Sequence, residues 1–355
     1  MIMKCLNIIL SALLLLLSAS CERQRKYDNS SRLVFADFPE VIQLEGQAIE
    51  FDEPIMRPSC MYIIDSFLIL KEDRADFLLH KYNLNNSKKE SECFTFGSGP
   101  NEFLWIQSVQ VDDSCLWLAD GQNASISRYN KNNVLSSDSL GVELIQKVSF
   151  EDHFKNIIAL SDSQFVTIIA NTNHKRLSFY DIKGDFLETK GDFPHFGNDF
   201  SGFENLEGFV CSMVLSPNKD YLFLFCMHTD LIEIYDLRGE LKKRIHGPDH
   251  FFPEIRQIAQ EDMIRVASIP EKTRDAYFCP VVVNDKIYVL YSGAYYDPEK
   301  PAYLLSNIFV FDNEGVPLRK YCLDIPICNF AIDSKTETLY GLSDDPEFHV
   351  IKYQL

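Results

Sequence analysis

A strand that ends in an aromatic residue, a polar residue and a turn recurs six times along this chain. The copies are LHKYNLNN at Tyr82, ISRYNKNN at Tyr129, LSFYDIKGD at Tyr180, IEIYDLRGE at Tyr235, IFVFDNEGV at Phe311 and HVIKYQL at Tyr353. In the middle copies an Asp or Asn opens the turn, and Gly184, Gly239 and Gly315 close it. This is hairpin chemistry: the Asx side chain nucleates the turn and glycine accepts a positive φ. Apolar strands with period-two character precede the copies, as in SCLWLAD, DYLFLFCM, KIYVLYS and ETLYGLS, and SVQVDD, SMVLSPN and NFAIDSK precede those. The order predicts one four-stranded antiparallel blade per copy.

Leu222, Phe223, Leu224 and Phe225 run consecutively. A strand apolar on both sides must be covered on both sides, which fits blades stacked face to face around an axis. Six repeats of this length predict an all-β, six-bladed β-propeller. Leu355 follows directly on the sixth aromatic strand, so the last blade lacks its outermost strand. The strand-like segment PEVIQLEGQAIEF, residues 39–51, is the candidate to supply it and close the ring. Helical periodicity is nearly absent; FPEIRQIAQEDM, with Ile255, Ile258 and Met263 roughly on one face, is read as one short helix.

The N-terminus stands apart. MIMKCLNIILSALLLLLSASC has one lysine, an apolar run and small residues before Cys21, the layout of a secretory signal peptide. The stretch resembles a bacterial lipobox, which implies a signal over residues 1–20, lipid attachment at Cys21 and a polar tether over 21–38, with the propeller from 39 to 355. An ordinary signal with a chance cysteine, or an uncleaved anchor helix, are the alternatives. The expected location is the cell envelope, with a lipid anchor in the outer membrane; the basic run Arg23 to Lys26 departs from the acidic pattern of surface export and leaves the face open.

The formal net charge of -18 repels phosphate backbones and argues against a nucleic-acid partner. Beyond Cys5 and Cys21, eight cysteines remain and none form a CxxC pair, so zinc-ribbon and redox spacings are missing. Several lie inside apolar strands and read as small buried hydrophobes. One or two disulfides fit the composition, but their pairing is not legible in the sequence.

FGSGPNEF, residues 96–103, follows the outer strand of the first blade. A phosphate loop would need a helix N-terminus after it, and the sequel FLWIQSVQV reads as a strand. The order Gly-Pro-x-x-Phe returns in HGPDHFF, again after an outer strand. Both stretches are therefore read as blade-to-blade crossovers in which Gly and Pro turn the chain inward and Phe fills the gap. With LWLADGQNASISRY, the first stretch resembles a repeat of the NHL-type propellers, and more closely the TolB-like six-bladed propeller lipoproteins of Bacteroides-type bacteria. The resemblance spans about residues 40–355; it implies the fold and says little about function.

No catalytic set of residues stands out: no GxSxG elbow and no repeated histidine pattern. His246 and His250 are four apart, but a proline lies between them and removes the meaning of that spacing, so no metal site is assigned. A calcium hydrolase of this architecture needs Glu, Asn and Asp converging on the axis, and Glu102, Asp120, Asn123 and Asn171 are the candidates at the channel mouth. Residues of these types beside turns are more often turn formers. Copies four and five are 76 residues apart against 47, 51 and 55 for the first three gaps, and YSGAYYDPEKPAYLL accounts for part of the excess. Its Tyr291, Tyr295, Tyr296 and Tyr303 are candidate binding residues, since exposed tyrosine offers flat apolar area with a polar tip. The leading expectation is a non-enzymatic binding or scaffolding propeller for a protein or glycan, attached to the membrane by its lipid. The alternative is a metal-dependent hydrolase or lyase, with calcium as the candidate cofactor.

Overall fold

A computed structural model describes residues 26–355 except 74, 113, 137–141, 162, 172, 174, 198–199, 261–262 and 300–303. Cys21 and Tyr303 lie outside the described residues. Among the described residues six sheets, each with a four-stranded antiparallel core, surround an axis, one sheet to a blade. Their inner strands are Pro58–Ile64, Ile106–Val111, Phe154–Ser161, Cys211–Leu215, Tyr277–Val283 and Asn329–Asp333. The chain then runs outward through each blade, strand by strand.

The repeat aromatics all fall on the third strand of a blade, and Tyr82, Tyr129, Tyr180, Tyr235, Phe311 and Tyr353 are each at most 2% exposed. The turn that follows is built as the sequence predicts. Asp181 Oδ1 accepts the N–H groups of Lys183 and Asp185, and Asp236 and Asp312 repeat the pattern two and four residues on. Gly184, Gly239 and Gly315 take φ of 90°, 79° and 77°, a region where a Cβ is strained. Leu222 and Leu224 pack into the core shared with blade 3, while Phe223 and Phe225 pack toward blade 5. That is why the run has no polar alternation.

The ring closes through the N-terminal segment. Gln47–Ile49 pairs antiparallel with His349–Gln354 and becomes the outer strand of blade 6. The same segment does more than the sequence suggests. Ser30–Arg32 pairs parallel to Leu241–His246 on blade 4, and Glu40–Leu44 pairs parallel to Pro317–Ile327 on blade 5. Tyr27 is fully buried. The stretch read as a tether to residue 38 is thus a strap from Tyr27 onward. Open edges of blades 4 and 5 supply the backbone partners, and polar composition could not reveal them.

Two further differences lie in the crossovers between blades. FPEIRQIAQEDM is not a helix: Ile255–Gln260 pairs antiparallel with Met263–Ser268, a partner that begins at the last residue of the stretch and runs beyond it. The long gap between copies four and five therefore comes from this hairpin as well as from the tyrosine loop. A short helix, Gly202–Gly208, sits in the crossover from blade 3 to blade 4, where Ser201 N–H donates to Glu204. Helix and hairpin pack against each other.

Candidate functional site

Strand direction alternates across each blade. The crossovers and the loops between second and third strands therefore emerge on one face of the ring, the crossover face. Glu102, Asp120, Asn123, Asn171, Tyr291, Tyr295 and Tyr296 all belong to elements that end or turn on this face.

The four channel-mouth candidates are turn and latch residues here. Asp120 is 1% exposed. Its Oδ1 accepts the N–H groups of Gln122 and Asn123, both at 3.1 Å, and its Oδ2 accepts Leu104 N–H at 2.9 Å and Asn123 Nδ2 at 2.8 Å. Four donors fill a carboxylate that offers about four acceptor sites, so Asp120 has none left for a cation. Glu102 Oε2 accepts Gly99 N–H at 2.7 Å and ties the glycine turn to the following Phe103. Asn171 donates to Asp152 at 3.2 Å and accepts Asn173 N–H at 3.0 Å. Only Asp120 and Asn123 are brought together by a hydrogen bond. Among the described residues no group of three or more His, Cys, Asp or Glu is placed to hold a metal ion.

The tyrosines divide. Tyr291 is 2% exposed, stacks on Phe309 with centroids 4.6 Å apart and donates its hydroxyl to Asp249 Oδ2 at 2.6 Å. It ends the buried second strand of blade 5, so it is a core residue that latches the preceding crossover and not an exposed contact. Burial pushes its phenol well above the usual range. Tyr296 is half-buried and its N–H bonds Thr273 O at 2.8 Å. Tyr295 is 60% exposed, with the Arg274 guanidinium 5.6 Å from its ring. Arg274 lies 4.5 Å from the ring of Phe251 on its other contact, and it bonds Gly293 O and pairs with Asp249 at 3.2 Å. The guanidinium is held in place, which presents Tyr295 outward.

The sequence did not single out the other apolar side chains on this face. Met56 is 67% exposed, Phe96 60%, Trp105 39%, Phe203 47% and Ile258 37%. They come from the crossovers 6 to 1, 1 to 2, 3 to 4 and 4 to 5, the last two through the helix and the hairpin. Together with Tyr295 they are six of the thirteen large apolar side chains exposed among the described residues; Val111, Ile145, Phe186, Leu187 and Val316 are exposed where strands turn on the opposite face. Their signal in the sequence is weak, because an apolar loop residue is as often folded under as turned out.

Beneath this face lies a buried ionic network that composition also hid. Glu233 is fully buried and accepts from Arg176 Nε at 2.7 Å, Arg244 Nε at 3.1 Å and Tyr235 Oη at 3.0 Å. Arg176 reaches across from blade 3 and also bonds Phe209 O at 2.8 Å. The remaining Arg244 donors meet Asp28 O and Asp192 O, so the strap is tied into the same network. Each charge is both paired and hydrogen-bonded, as burial requires. His228 Nδ1 and Asp275 Oδ1, 2.9 Å apart, link blade 4 to the entry of blade 5 in the same way.

Six blades, a strap-closed ring and a loop face built from crossovers define a six-bladed β-propeller. Residues 37–335 match the TolB-like 6-blade propeller-like family, and the chain belongs to it. Among the solved structures that share the fold, two illustrate how low the identity is. One is a protein described as exported from Bacteroides fragilis NCTC 9343, 12% identical, with a TM-score of 0.51 over 88% of this chain and 98% of that one. The other is a DUF4221 family member from Bacteroides vulgatus ATCC 8482, 11% identical, with a TM-score of 0.55 over 87% and 95% of the two chains. No functionally curated protein matches the chain.

Proposed function

We propose that this protein is an exported, lipid-anchored binding module of the cell envelope whose crossover face docks a protein held at the same membrane. The observation that carries this reading is the set of outward apolar side chains, Met56, Phe96, Trp105, Phe203, Ile258 and Tyr295, on one face. Mixed Met, Phe and Ile suit a protein surface, where apolar anchors inside a polar rim provide most of the affinity. A glycan would want flat rings flanked by free donors, and Arg274, the cation beside Tyr295, is already committed to Asp249 and Gly293. The description of the Bacteroides fragilis relative supports the export part of the reading.

The strap supports the membrane part. Tyr27 is fixed on the crossover face, its ring against Phe196, Phe209 and Phe252 and its hydroxyl on Thr229 at 2.9 Å. Five residues separate it from Cys21, a reach of about 20 Å when fully extended. A lipid on Cys21 would hold this face close to the bilayer, where the outer membrane is the proposed site. The test is photo-crosslinking in intact envelopes from benzophenone side chains at Trp105 or Phe203, with Val316, which is exposed in a turn on the opposite face, as control. Adducts with one membrane protein from the first two positions, absent from Val316 and weakened by Tyr295→Ala, are expected. Equal labelling from both faces overturns the reading, and retention on a glycan array that Trp105→Ala abolishes would replace the protein partner with a sugar. Mass analysis of the N-terminal peptide checks the lipid separately.

A further inference from the structure

The eight described cysteines carry free thiols in the structure, and two of them are cross-strand partners. Cys211 on the inner strand of blade 4 faces Cys226 on its neighbour in register. Met227 N–H bonds Val210 O at 2.8 Å, which makes Val210 and Met227 a hydrogen-bonded pair. Pairs alternate along an antiparallel ladder, so Cys211 and Cys226 form the narrow, non-hydrogen-bonded kind. Such pairs have Cα atoms about 4.5 Å apart, inside the span of about 4.4–6.8 Å that a disulfide bridges. Both sulfurs also meet one atom, Arg176 Nη2, at 3.3 and 3.5 Å, so the two side chains converge on one spot. No other pair among the described cysteines has this support. Cys60 and Cys279 share Asn329 Nδ2 at 3.7 and 3.1 Å, but they lie in blades 1 and 5, with blade 6 between them and no register to hold them.

We propose that Cys211 and Cys226 are a disulfide-forming pair, oxidised by exchange with a disulfide-bearing oxidoreductase of the envelope while the chain is still unfolded. Two S–H bonds break and one S–S bond forms; the two electrons and two protons pass to the oxidoreductase, whose disulfide becomes a dithiol. Oxidation comes before folding because Cys226 is fully buried and Cys211 nearly so. Arg176 gives up two sulfur contacts and keeps Glu233 at 2.7 Å and Phe209 O at 2.8 Å, so the bridge leaves no orphaned charge. The bridge closes a short loop within one blade and restricts the unfolded chain.

The pairing rests on the export reading only for its oxidant, and the experiment separates the two. The chain is produced once with its own leader and once from residue 22 in a reducing cytoplasm, and the second sample is refolded with oxidised glutathione. Each is denatured without reductant, alkylated and digested with trypsin, which places Cys211 in residues 191–219 and Cys226 in 220–238. A linked peptide lighter by two hydrogens, with the other six thiols alkylated, is expected in both samples, together with a melting temperature several degrees lower after reduction. The Cys211→Ala/Cys226→Ala variant should lose that reductant-dependent shift. All eight thiols alkylated in both samples, or a link to any other cysteine, overturns the pairing. A link in the refolded sample alone supports the pairing and overturns export.

Discussion

At the first Gly-Pro crossover, Gly99 and Pro100 lead to Phe103, which is sealed at 1% exposure against Phe94 of blade 1 and Tyr129 of blade 2. At the second, Gly247 and Pro248 lead to Phe251, which stays half-buried under the Arg274 guanidinium. The first is held largely from within: Glu102 bonds Gly99, and Thr95 and Phe96 pair in register with Glu102 and Phe103, while Asp120 takes only the trailing Leu104 N–H and Asn101 reaches Val142 O through its side chain. The second is held from outside: the carboxylate of Asp230, fully buried at the start of a different strand, accepts the N–H groups of Asp249, His250 and Phe251. One string of residues thus sets the chain path at both places. What fixes each turn energetically is decided by whatever the blade offers nearby, and the externally held turn is the one that has room for an inserted hairpin.

The largest test of that contrast is Asp230→Ala. It strips three N–H groups and the His246 contact at 3.1 Å of their acceptor, and leaving several buried donors unsatisfied costs about 4 kcal/mol. Chemical denaturation should show that loss, while Glu102→Ala, whose target Gly99 lies in a half-exposed turn, should lose about 1 kcal/mol. A D230A protein as stable as E102A would remove the distinction between the two modes of support.

Next come the wedges. Phe103→Ala opens a closed aromatic cluster and should cost about 3 kcal/mol, against about 1 kcal/mol for the half-buried Phe251, both read from urea midpoints. The glycines should differ in the same direction as the acceptors. A Cβ on Gly247, at φ 139°, would meet Leu33 O at 2.1 Å, and backbone cannot step aside. On Gly99 the nearest atom is the movable Glu102 Oε2 at 3.0 Å. Gly247→Ala should therefore cost about 2 kcal/mol and Gly99→Ala less than about 1 kcal/mol; equal losses would mean that the strap contact at Leu33 is not rigid.

The smallest effect is a pH dependence confined to the second crossover. Burial holds the His250 imidazolium below its ordinary value of 6.5. Its neutral ring accepts Arg32 Nε at 3.1 Å, and Asp230 only partly offsets the cost of charging it. The unfolded chain takes up the proton first as pH falls, so this contribution is complete above 6.5 and declines below it. Unfolding midpoints on either side of that pH should fall in acid, and His250→Gln should flatten the decline.

The parts of the fold that could be read from the sequence obey rules closed within a few residues. Asp181, Asp236 and Asp312 make their turns with partners two and four residues away, and an aromatic on each third strand marks each blade, so the blade count was fixed by local chemistry. The candidate site was far less legible. Asp120 has the composition of a ligand, but its four acceptor sites are spent on its own turn and on Leu104. Tyr291 sits in a loop-like string and is core, whereas Tyr295, four residues on, is surface.

Tertiary structure decided everything whose partner is remote in the chain. Tyr27 is buried by rings of residues 196, 209 and 252. Arg176, Glu233 and Arg244 meet from two blades, and Cys211 finds Cys226 through a strand register. Burial and charge pairing are properties of the space between elements. The sequence alone determined that there would be six blades and where each turned; which polar groups are buffered by a neighbour, and which apolar ones are left facing out, was settled only when the ring closed.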